Sequence, residues 1–477
     1  MLTSSSHSVL QHKRSKSMAT ETELRIEKAA AHEVEERLGA NAIFDAKNAS
    51  DEEHSQTFWQ AVKANRKAVG WSMLISMSIV MEGYDTILMG NFMGYPEFKK
   101  KYGQDFGGDI GYSITAPWQT GLNMASTVGA IFGALINGYV ASRLGYRWVM
   151  IYGLFFMNAF IFVVFFAPSA GVLVAGQVLC GLAWGVFATV GPAYASEVCP
   201  TNLRGYLTTY VNLCWAIGQF IAAGVLYGCL QIENQWAYRI PFALQWAWPL
   251  PLMLICWFAP ESPWYLVRND RLEDARNSIR RLGGDKTTDQ INAQLAMMVH
   301  TTKIESDLHA GTAYWDCFKG VDLRRTEIVC LTFMGQILSG SSFAYSPTYF
   351  FTTAGMNTDK AYQLNVGGTA IAFVGTCLSW FLITYIGRRK IYLGGMGTLV
   401  TLNMLIGILD AAVNNSSGLW AQAAFCIMWS FSYSLTIGPI AYCIISETSS
   451  VRLRPLSVVL ARNAYQLVNI VSQILQR

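Results

Sequence analysis

The sequence predicts an all-α, polytopic transmembrane protein with about eleven spans. Three observations carry that prediction. Of 477 residues, 52% are hydrophobic and only 14% charged, with mean hydropathy +0.28, against roughly 25% charged in an ordinary soluble protein. Apolar runs of about 20 residues, long enough to cross ~30 Å of hydrocarbon, recur at a steady beat from Ala68 onward. Lys and Arg collect in alternate loops. The net charge of +4 is too small and too segregated for a nucleic-acid partner, so the basic bias reads as orientation in a lipid bilayer.

Residues 1–67 form a tail of Ser, Glu, Lys and Arg without an apolar run, so the first span must serve as an uncleaved insertion signal. Its stretch Glu21–Leu38 reads as one solvated helix of opposite charges. Spans are expected at 68–90, 118–141, 148–167, 171–195, 206–230 and 241–259, making an N-terminal six-helix bundle over 68–259. Residues 260–325 interrupt the beat with ten Lys/Arg, an amphipathic stretch around Leu272–Leu282 and a turn at Gly283-Gly284, the pattern of a cytosolic helical linker. Spans resume at 326–347, 362–386, 391–413 and 418–445, with an eleventh from 455 onward, giving an incomplete C-terminal bundle over 326–477.

The charges test this layout, because short cytosolic loops hold the excess of Lys and Arg. Tail, linker and the loops after spans 2, 4, 8 and 10 hold 28 of the 35, and the opposite loops hold five: Lys99, Lys100, Lys101, Arg239 and Lys360. Arg462 and Arg477 complete the set. The N-terminus is therefore expected in the cytosol. Sequons at Asn414 and Asn415 fall on the outer side and one at Asn48 on the cytosolic side. The ten cysteines are scattered without CxxC spacing, which suits small hydrophobes better than metal ligands or disulfides.

The two halves echo each other. Arg143-Leu144-Gly145-Tyr146-Arg147 is answered by Tyr385-Ile386-Gly387-Arg388-Arg389, and Ser196-Glu197 with Arg204 by Ser446-Glu447 with Arg454. The latter offset of 250 residues extends to Gln219 and Asn469. Such repetition is expected of a carrier built from related bundles around a midplane site.

On these residues the chain resembles the major facilitator superfamily, and within it the sugar porters. The carriers of the likeness are Gly83-Tyr84-Asp85 in span 1, the two basic loops, Pro260-Glu261-Ser262-Pro263 after span 6, Ile217-Gly218-Gln219, Gln336 with Ser339-Gly340, and the two Glu/Arg motifs. Residues 193–219 and 458–471 look like the fungal maltose/α-glucoside permease branch. The resemblance implies a two-bundle fold with about 11 of the usual 12 spans present. It also implies that Gln219 and Gln336 bind substrate. Departures are the missing loop acid around Ala141–Arg143 and Tyr385, Gln177 for the family's span-4 arginine, Ile337 and Ser342 in span 7, and Tyr442 for the span-10 tryptophan. The resemblance further calls for a twelfth span, whereas the last apolar run ends at Ile474-Leu475-Gln476-Arg477. The chain thus reads as C-terminally truncated, and a weak or inactive product that an added span would rescue is expected.

Independently of any family, an ionisable side chain inside a span costs ~2.5–3.5 kcal/mol on insertion scales unless it is paired or functional. Glu82 and Asp85 are the two deepest, three apart on one helical face. No Lys or Arg lies mid-span in the N-terminal half, so burial and mutual repulsion both oppose their ionisation and they should titrate as a coupled pair, which suits proton coupling. All six histidines lie in segments assigned to the cytosol. The amides Gln119, Asn123, Gln177, Gln219, Gln336, Asn403 and Gln422 could hold a polyol or merely join helices. Trp184, Trp215 and Tyr345 are candidate stacking faces. Glu197, Arg204, Glu447, Arg454, Arg147, Arg388 and Arg389 lie at the cytosolic span ends and could latch the bundles as a gate.

The expected function is import of an α-glucoside such as maltose, together with a proton, by alternating access across a fungal plasma membrane. A monomer is expected, with no cofactor and no metal. A sugar facilitator without proton coupling and a non-transporting sugar sensor stay open as alternatives. An enzyme is not expected, since no nucleophile–base pair, metal cluster or phosphate loop is present in the sequence.

Overall fold

The computed structural model describes residues 58–107, 111–284, 287–308, 314–341, 356–412, 416–449 and 453–475. Asn48, Ser342, Tyr345, the sequon pair Asn414 and Asn415, and Arg477 lie outside them. The described chain is all-α apart from one hairpin of two-residue strands.

A short helix, α1 (Phe58–Ala64), precedes span 1, which is built from α2 (Arg66–Ser76) and α3 (Ser78–Phe92). Next come α4 (Pro96–Tyr102) and the antiparallel strands β1 (Gln104–Asp105) and β2 (Tyr112–Ser113). Spans 2 to 5 are α5 (Ala116–Leu144), α6 (Tyr146–Phe165), α7 (Ala170–Val198) and α8 (Thr201–Cys229). Span 6 comprises α9 (Trp236–Leu244), a 3-10 turn at Gln245–Ala247 and α10 (Pro249–Phe258). Three helices follow outside the spans: α11 (Pro263–Arg268), α12 (Leu272–Leu282) and α13 (Thr288–Leu308). Span 7 is α14 (Gly320–Gln336) with a wide turn at Ile337–Ser341, and spans 8 and 9 are α15 (Thr358–Tyr385) and α16 (Arg388–Ala412). Span 10 is α17 (Ser416–Leu435) with α18 (Ile437–Thr448), and span 11 is α19 (Arg454–Leu475).

Eight helical stretches among the described residues, those of spans 2 to 6 and 8 to 10, are long and apolar enough to cross a membrane. Spans 1, 7 and 11 fall short for a physical reason. Span 1 is broken at Met77 and carries Glu82 and Asp85. Span 7 starts among Asp322, Arg324, Arg325 and Glu327 and breaks after Gln336. Span 11 carries Arg454, Arg462, Asn463 and Gln466, all buried. Polar residues that face the interior of a bundle lower the mean hydropathy of the helix that holds them.

The breaks place side chains. Pro249 has no N–H to give the Gln245 carbonyl, so the helix tightens into a 3-10 turn there and turns the Gln245 amide inward. Pro439 likewise interrupts span 10 just after Thr436. In span 7, Gly340 takes φ +95°, and the carbonyl of Ser339 accepts a hydrogen bond from Asn403 Nδ2 at 2.7 Å.

Small residues set how closely the spans approach. Spans 2 and 4 each carry a G-x-x-x-G pattern, Gly129/Gly133 and Gly181/Gly185. A Cβ on any of these four would collide with backbone of the partner: at Val178, Leu182, Ser126 and Ala130 respectively. Spans 1 and 5 do the same through Gly83, which lies against the Trp215 backbone, and Gly218, which lies against that of Val80. Helices meet backbone to backbone in this way because lipid supplies no hydrophobic drive between them, and close van der Waals packing takes its place.

Gly185→Leu should therefore force spans 2 and 4 apart at a cost of about 1–3 kcal/mol or more. The expected outcome is a lower melting temperature of the detergent-solubilised protein and loss of the monodisperse elution peak. Gly224→Leu, at a position with open space around it, is the control and should leave both unchanged.

Candidate functional site

Two cavities flank the side chain of Trp215. The larger, about 460 Å³, lies among spans 1, 2, 4, 5 and 11 and is lined by Glu82, Asp85, Trp184 and Trp215 at depth and by Gln119 and Gln473 farther out. It reaches the end of the bundle opposite the basic loops, since Ala116, at the start of span 2, and Met93, after span 1, are also on its wall. The smaller, about 80 Å³, lies among spans 5, 8 and 10 and holds Asn212, Gln219, Asn365, Trp429 and Tyr433.

Glu82 and Asp85 lie on the wall of the larger cavity, but they have separate partners. Arg462 of span 11 donates from Nη2 to Glu82 Oε1 at 2.5 Å, and both side chains are buried, at 5% and 7% exposure. Arg462 also faces Tyr442 Oη at 3.4 Å and the ring of Tyr465. The expectation of two acids without a nearby cation is thus corrected for Glu82: its cation comes from the other half of the chain, where a search of the N-terminal half alone could not find it. Asp85 has no ion pair among the described residues. Its Oδ1 accepts from Gln245 Nε2 at 2.7 Å and from Gln177 Nε2 at 3.4 Å. Amide donors can face this group whether or not its carboxyl carries a proton.

The other amides divide. Gln336 is buried, donates from Nε2 to the Gly438 carbonyl at 3.1 Å, and lines neither cavity. Asn403 is committed to Ser339 in the same manner. Gln219 lines the smaller cavity, and its Nε2 is buried without a hydrogen-bond partner. Trp184 and Trp215 both line the larger cavity, which Trp215 shares with the smaller one.

At the basic end, Glu197 is buried and receives Arg268 Nη2 at 2.6 Å, Tyr146 Oη at 3.0 Å and the Ser262 hydroxyl. Its ion-pair partner is thus Arg268 of α11 rather than the motif's own Arg204. Glu261 accepts from the backbone N–H groups of Tyr146, Arg147 and Ser262 at 3.0, 3.1 and 2.9 Å. A carboxylate at the first turn of span 3 satisfies donors that no helical carbonyl reaches, and Gly145 at φ +83° leaves room for it. Two sequence motifs, Gly145-Tyr146-Arg147 and Pro260-Glu261-Ser262-Pro263, are thereby one structural unit. In the second half, Glu447 pairs with Arg388 at 3.0 Å, and Arg454 is buried within electrostatic reach of Arg204 and Glu197. Arg147 donates to the Trp257 carbonyl at 2.5 Å, and Arg389 is exposed. Between the halves, Tyr206 meets Thr384 at 3.0 Å and Thr208 meets Ser446 at 3.4 Å.

Residues to which sequence reasoning gave no role in the site are Arg462, Gln245, Arg268 and Glu261, the last of them visible only as part of a motif. A signal existed for Arg462, a lone cation inside an apolar span, because such a residue is almost always paired with an acid. For Gln245 the signal was its position four before a proline.

The model of the family described as "Sugar (and other) transporter" matches residues 71–476. A maltose permease of Saccharomyces cerevisiae is 38% identical over 443 residues, covering 91% of this chain and 72% of that one. A general alpha-glucoside permease of the same organism is 38% identical over 441 residues, covering 91% and 71%. Among solved structures, the major facilitator superfamily proton:xylose symporter XylE bound to 6-bromo-6-deoxy-D-glucose superposes with TM-score 0.74 at 17% identity, over 86% of this chain and 88% of that one. The partially occluded inward-open form of the xylose transporter from E. coli gives 0.66 at 17% identity, over 86% and 92%. These structural matches establish the fold.

Burial pushes the Glu261 carboxyl up to about 7, against the lowering effect of its three N–H donors. A carboxyl raised in the folded state contributes stability that is present below its ordinary range and is lost as pH rises through about 7, at up to about 1.4 kcal/mol per pH unit. The wild-type melting temperature should therefore fall between pH 5 and pH 8 more steeply than that of Glu261→Gln, which cannot ionise. Parallel curves for the two proteins would mean that Glu261 does not titrate in this range.

Proposed function

The chain belongs to the sugar transporter family, as a membrane carrier and not an enzyme, and from that membership we propose that it imports an α-glucoside such as maltose together with a proton by alternating access. One observation carries the proton half of the reading: Asp85 is buried on the wall of the larger cavity with amides and, among the described residues, no cation for partners. Substrate and proton sites then adjoin at Trp215, which lines both cavities. The sugar half rests on the chemistry of the walls, because neutral polyols are held by amide and hydroxyl groups and by aromatic faces rather than by ion pairs. Gln219 is the substrate amide in the smaller cavity, and Gln336 acts on the substrate indirectly, by fixing the Gly438 backbone beside it.

In the cycle, Asp85 takes a proton from the outer solution through the larger cavity. Gln245 and Gln177 hold the carboxyl in place through both protonation states. Sugar binding beside Trp215 follows, and the two halves rock about the site. Glu82 and Arg462 tie span 1 to span 11 across the halves, so any relative movement of these spans must stretch or break a buried ion pair. Proton release from Asp85 to the inner side, with the sugar, resets the carrier. In this reading the basic end faces the cytosol, which the excess of Lys and Arg there supports, so the N-terminus lies inside the cell; the carrier works in the plasma membrane, as its permease relatives suggest, and as a monomer. There the Arg388–Glu447 pair and the contacts of Arg204 and Arg454 close the inner gate.

Asp85→Asn should keep exchange of labelled maltose across vesicle membranes but abolish its proton-driven accumulation, because the amide preserves shape and cannot carry a proton. Accumulation at the wild-type level in this variant would remove Asp85 from the coupling. Truncating Arg462 alone, to Leu, leaves Glu82 uncompensated and should cost about 3–5 kcal/mol, seen as loss of folded protein at the cell surface. The double variant Glu82→Gln/Arg462→Leu should restore surface protein while leaving transport impaired.

A further inference from the structure

We infer that Gln119, Asn123 and Gln473, in the outer part of the larger cavity between span 2 and span 11, form a second sugar-ring subsite that reads the chain length of the glucoside. The inference rests on the sugar-carrier reading above and assigns the residues that would read chain length.

Four amides define the walls: Gln119 and Asn123 on span 2 face Asn469 and Gln473 on span 11. Their spacings, 119 with 123 and 469 with 473, put each pair on one helical face. Amides inside a membrane bundle ordinarily join helices through hydrogen bonds to one another or to backbone. These do not join span 2 to span 11. Asn123 makes no hydrogen bond among the described residues. Gln473 reaches only Asn469 on its own helix, at 3.4 Å, and its Oε1 is buried without a partner. Gln119 donates to the Ile114 carbonyl next to its own helix, and its oxygen accepts no hydrogen bond among the described residues. Gln336 and Asn403, by contrast, each bond to the backbone of another span. An unbonded amide on an apolar helix is costly, so a role as mere filling is disfavoured, and hydroxyl groups of a ligand or of water are the partners that fit.

The dimensions agree. The wall of span 2 runs from Ala130 to Ala116, about 20 Å of helix at 1.5 Å per residue, and a cavity of about 460 Å³ falls within the range of roughly 300–1,000 Å³ that encloses small ligands. A ring seated at depth beside Trp184, Trp215 and Asp85 leaves the outer part of this length unfilled. A second ring, linked through its glycosidic oxygen toward Ala116, places its hydroxyl groups among the four amides.

The test is equilibrium binding to purified protein, followed by the fluorescence of Trp184 and Trp215, with methyl α-glucoside, maltose and maltotriose as probes. Asn123→Leu and Gln473→Leu remove amides that hold no other span, so folding should survive, and monodisperse elution checks it. Each variant should raise the Kd for maltose and for maltotriose roughly tenfold, the equivalent of one lost hydrogen bond of good geometry, while the Kd for methyl α-glucoside stays within about twofold. An equal loss for all three probes, or an unchanged Kd for maltose in both variants, would overturn the subsite. If the wild-type protein binds none of the three, the α-glucoside reading itself fails. A wild type that binds maltose no more tightly than methyl α-glucoside rejects the second ring alone.

Discussion

The Glu82–Arg462 ion pair joins the two halves of the chain in the interior of the bundle, where hydrogen bonds such as Tyr362 Oη to the Asn91 carbonyl accompany it. Both groups are buried, so each depends on the other to compensate its charge. Span 1 is anchored to span 5 through Gly83 and Gly218, and span 11 packs beside Phe333 and Tyr442 through Tyr465. The pair therefore joins the framework of the first half to that of the second. Its desolvation is expensive and is repaid only while the geometry holds. It also leaves Asp85, one helical turn away, as the acid on that face without a cation among the described residues.

Close packing and polar bonding have different tasks in this bundle. Glycines at 129, 133, 181 and 185 let spans 2 and 4 approach until their backbones meet. A side-chain hydrogen bond from Asn137 to Thr189, at 2.7 Å, adds to that contact. At the break Ile337–Ser341 the Ser339 carbonyl accepts from Asn403 of span 9, beyond the break at Thr436 the Gly438 carbonyl accepts from Gln336 of span 7, and the break at Gln245–Ala247 turns the Gln245 amide to Asp85. Breaks and amides therefore occur together in the interior of the bundle, while spans 3, 6 and 9 turn large exposed apolar side chains such as Phe155, Leu254 and Met404 outward.

Much of the fold was legible in the sequence because bilayer thickness imposes a length on every span. The eight most apolar runs stand in the structure within a few residues of where periodicity and charge put them. What escaped was tertiary. Glu82 looked unpaired because its partner lies 380 residues away, and no local pattern encodes that distance. Gln336 looked like a ligand by motif, yet its amide meets the Gly438 carbonyl just beyond the break in span 10. Glu261 was visible as part of a motif, but its work on the first turn of span 3 depends on the ends of spans 2 and 6 coming together. Local physics predicts helices and their ends well, whereas the choice between ligand and helix joint is made by which partner arrives from elsewhere.

The repeated Ser-Glu motif shows how far two copies of one sequence can diverge in consequence. Glu197 has a side chain 1% exposed and is held by Arg268, Tyr146 and Ser262, all from the first half and its following helix. Glu447 has a side chain 42% exposed and is held by Arg388, itself 40% exposed. An exposed pair contributes about 0–1 kcal/mol, whereas breaking a buried one costs about 3–5 kcal/mol. The same residues are therefore a fixed joint in one half and a cheap contact in the other. The second copy lies on the seam between the halves, where Arg388 and Glu447 sit beside Gly205 of span 5. The first copy instead bonds the ends of spans 3 and 4 to α11 within one half.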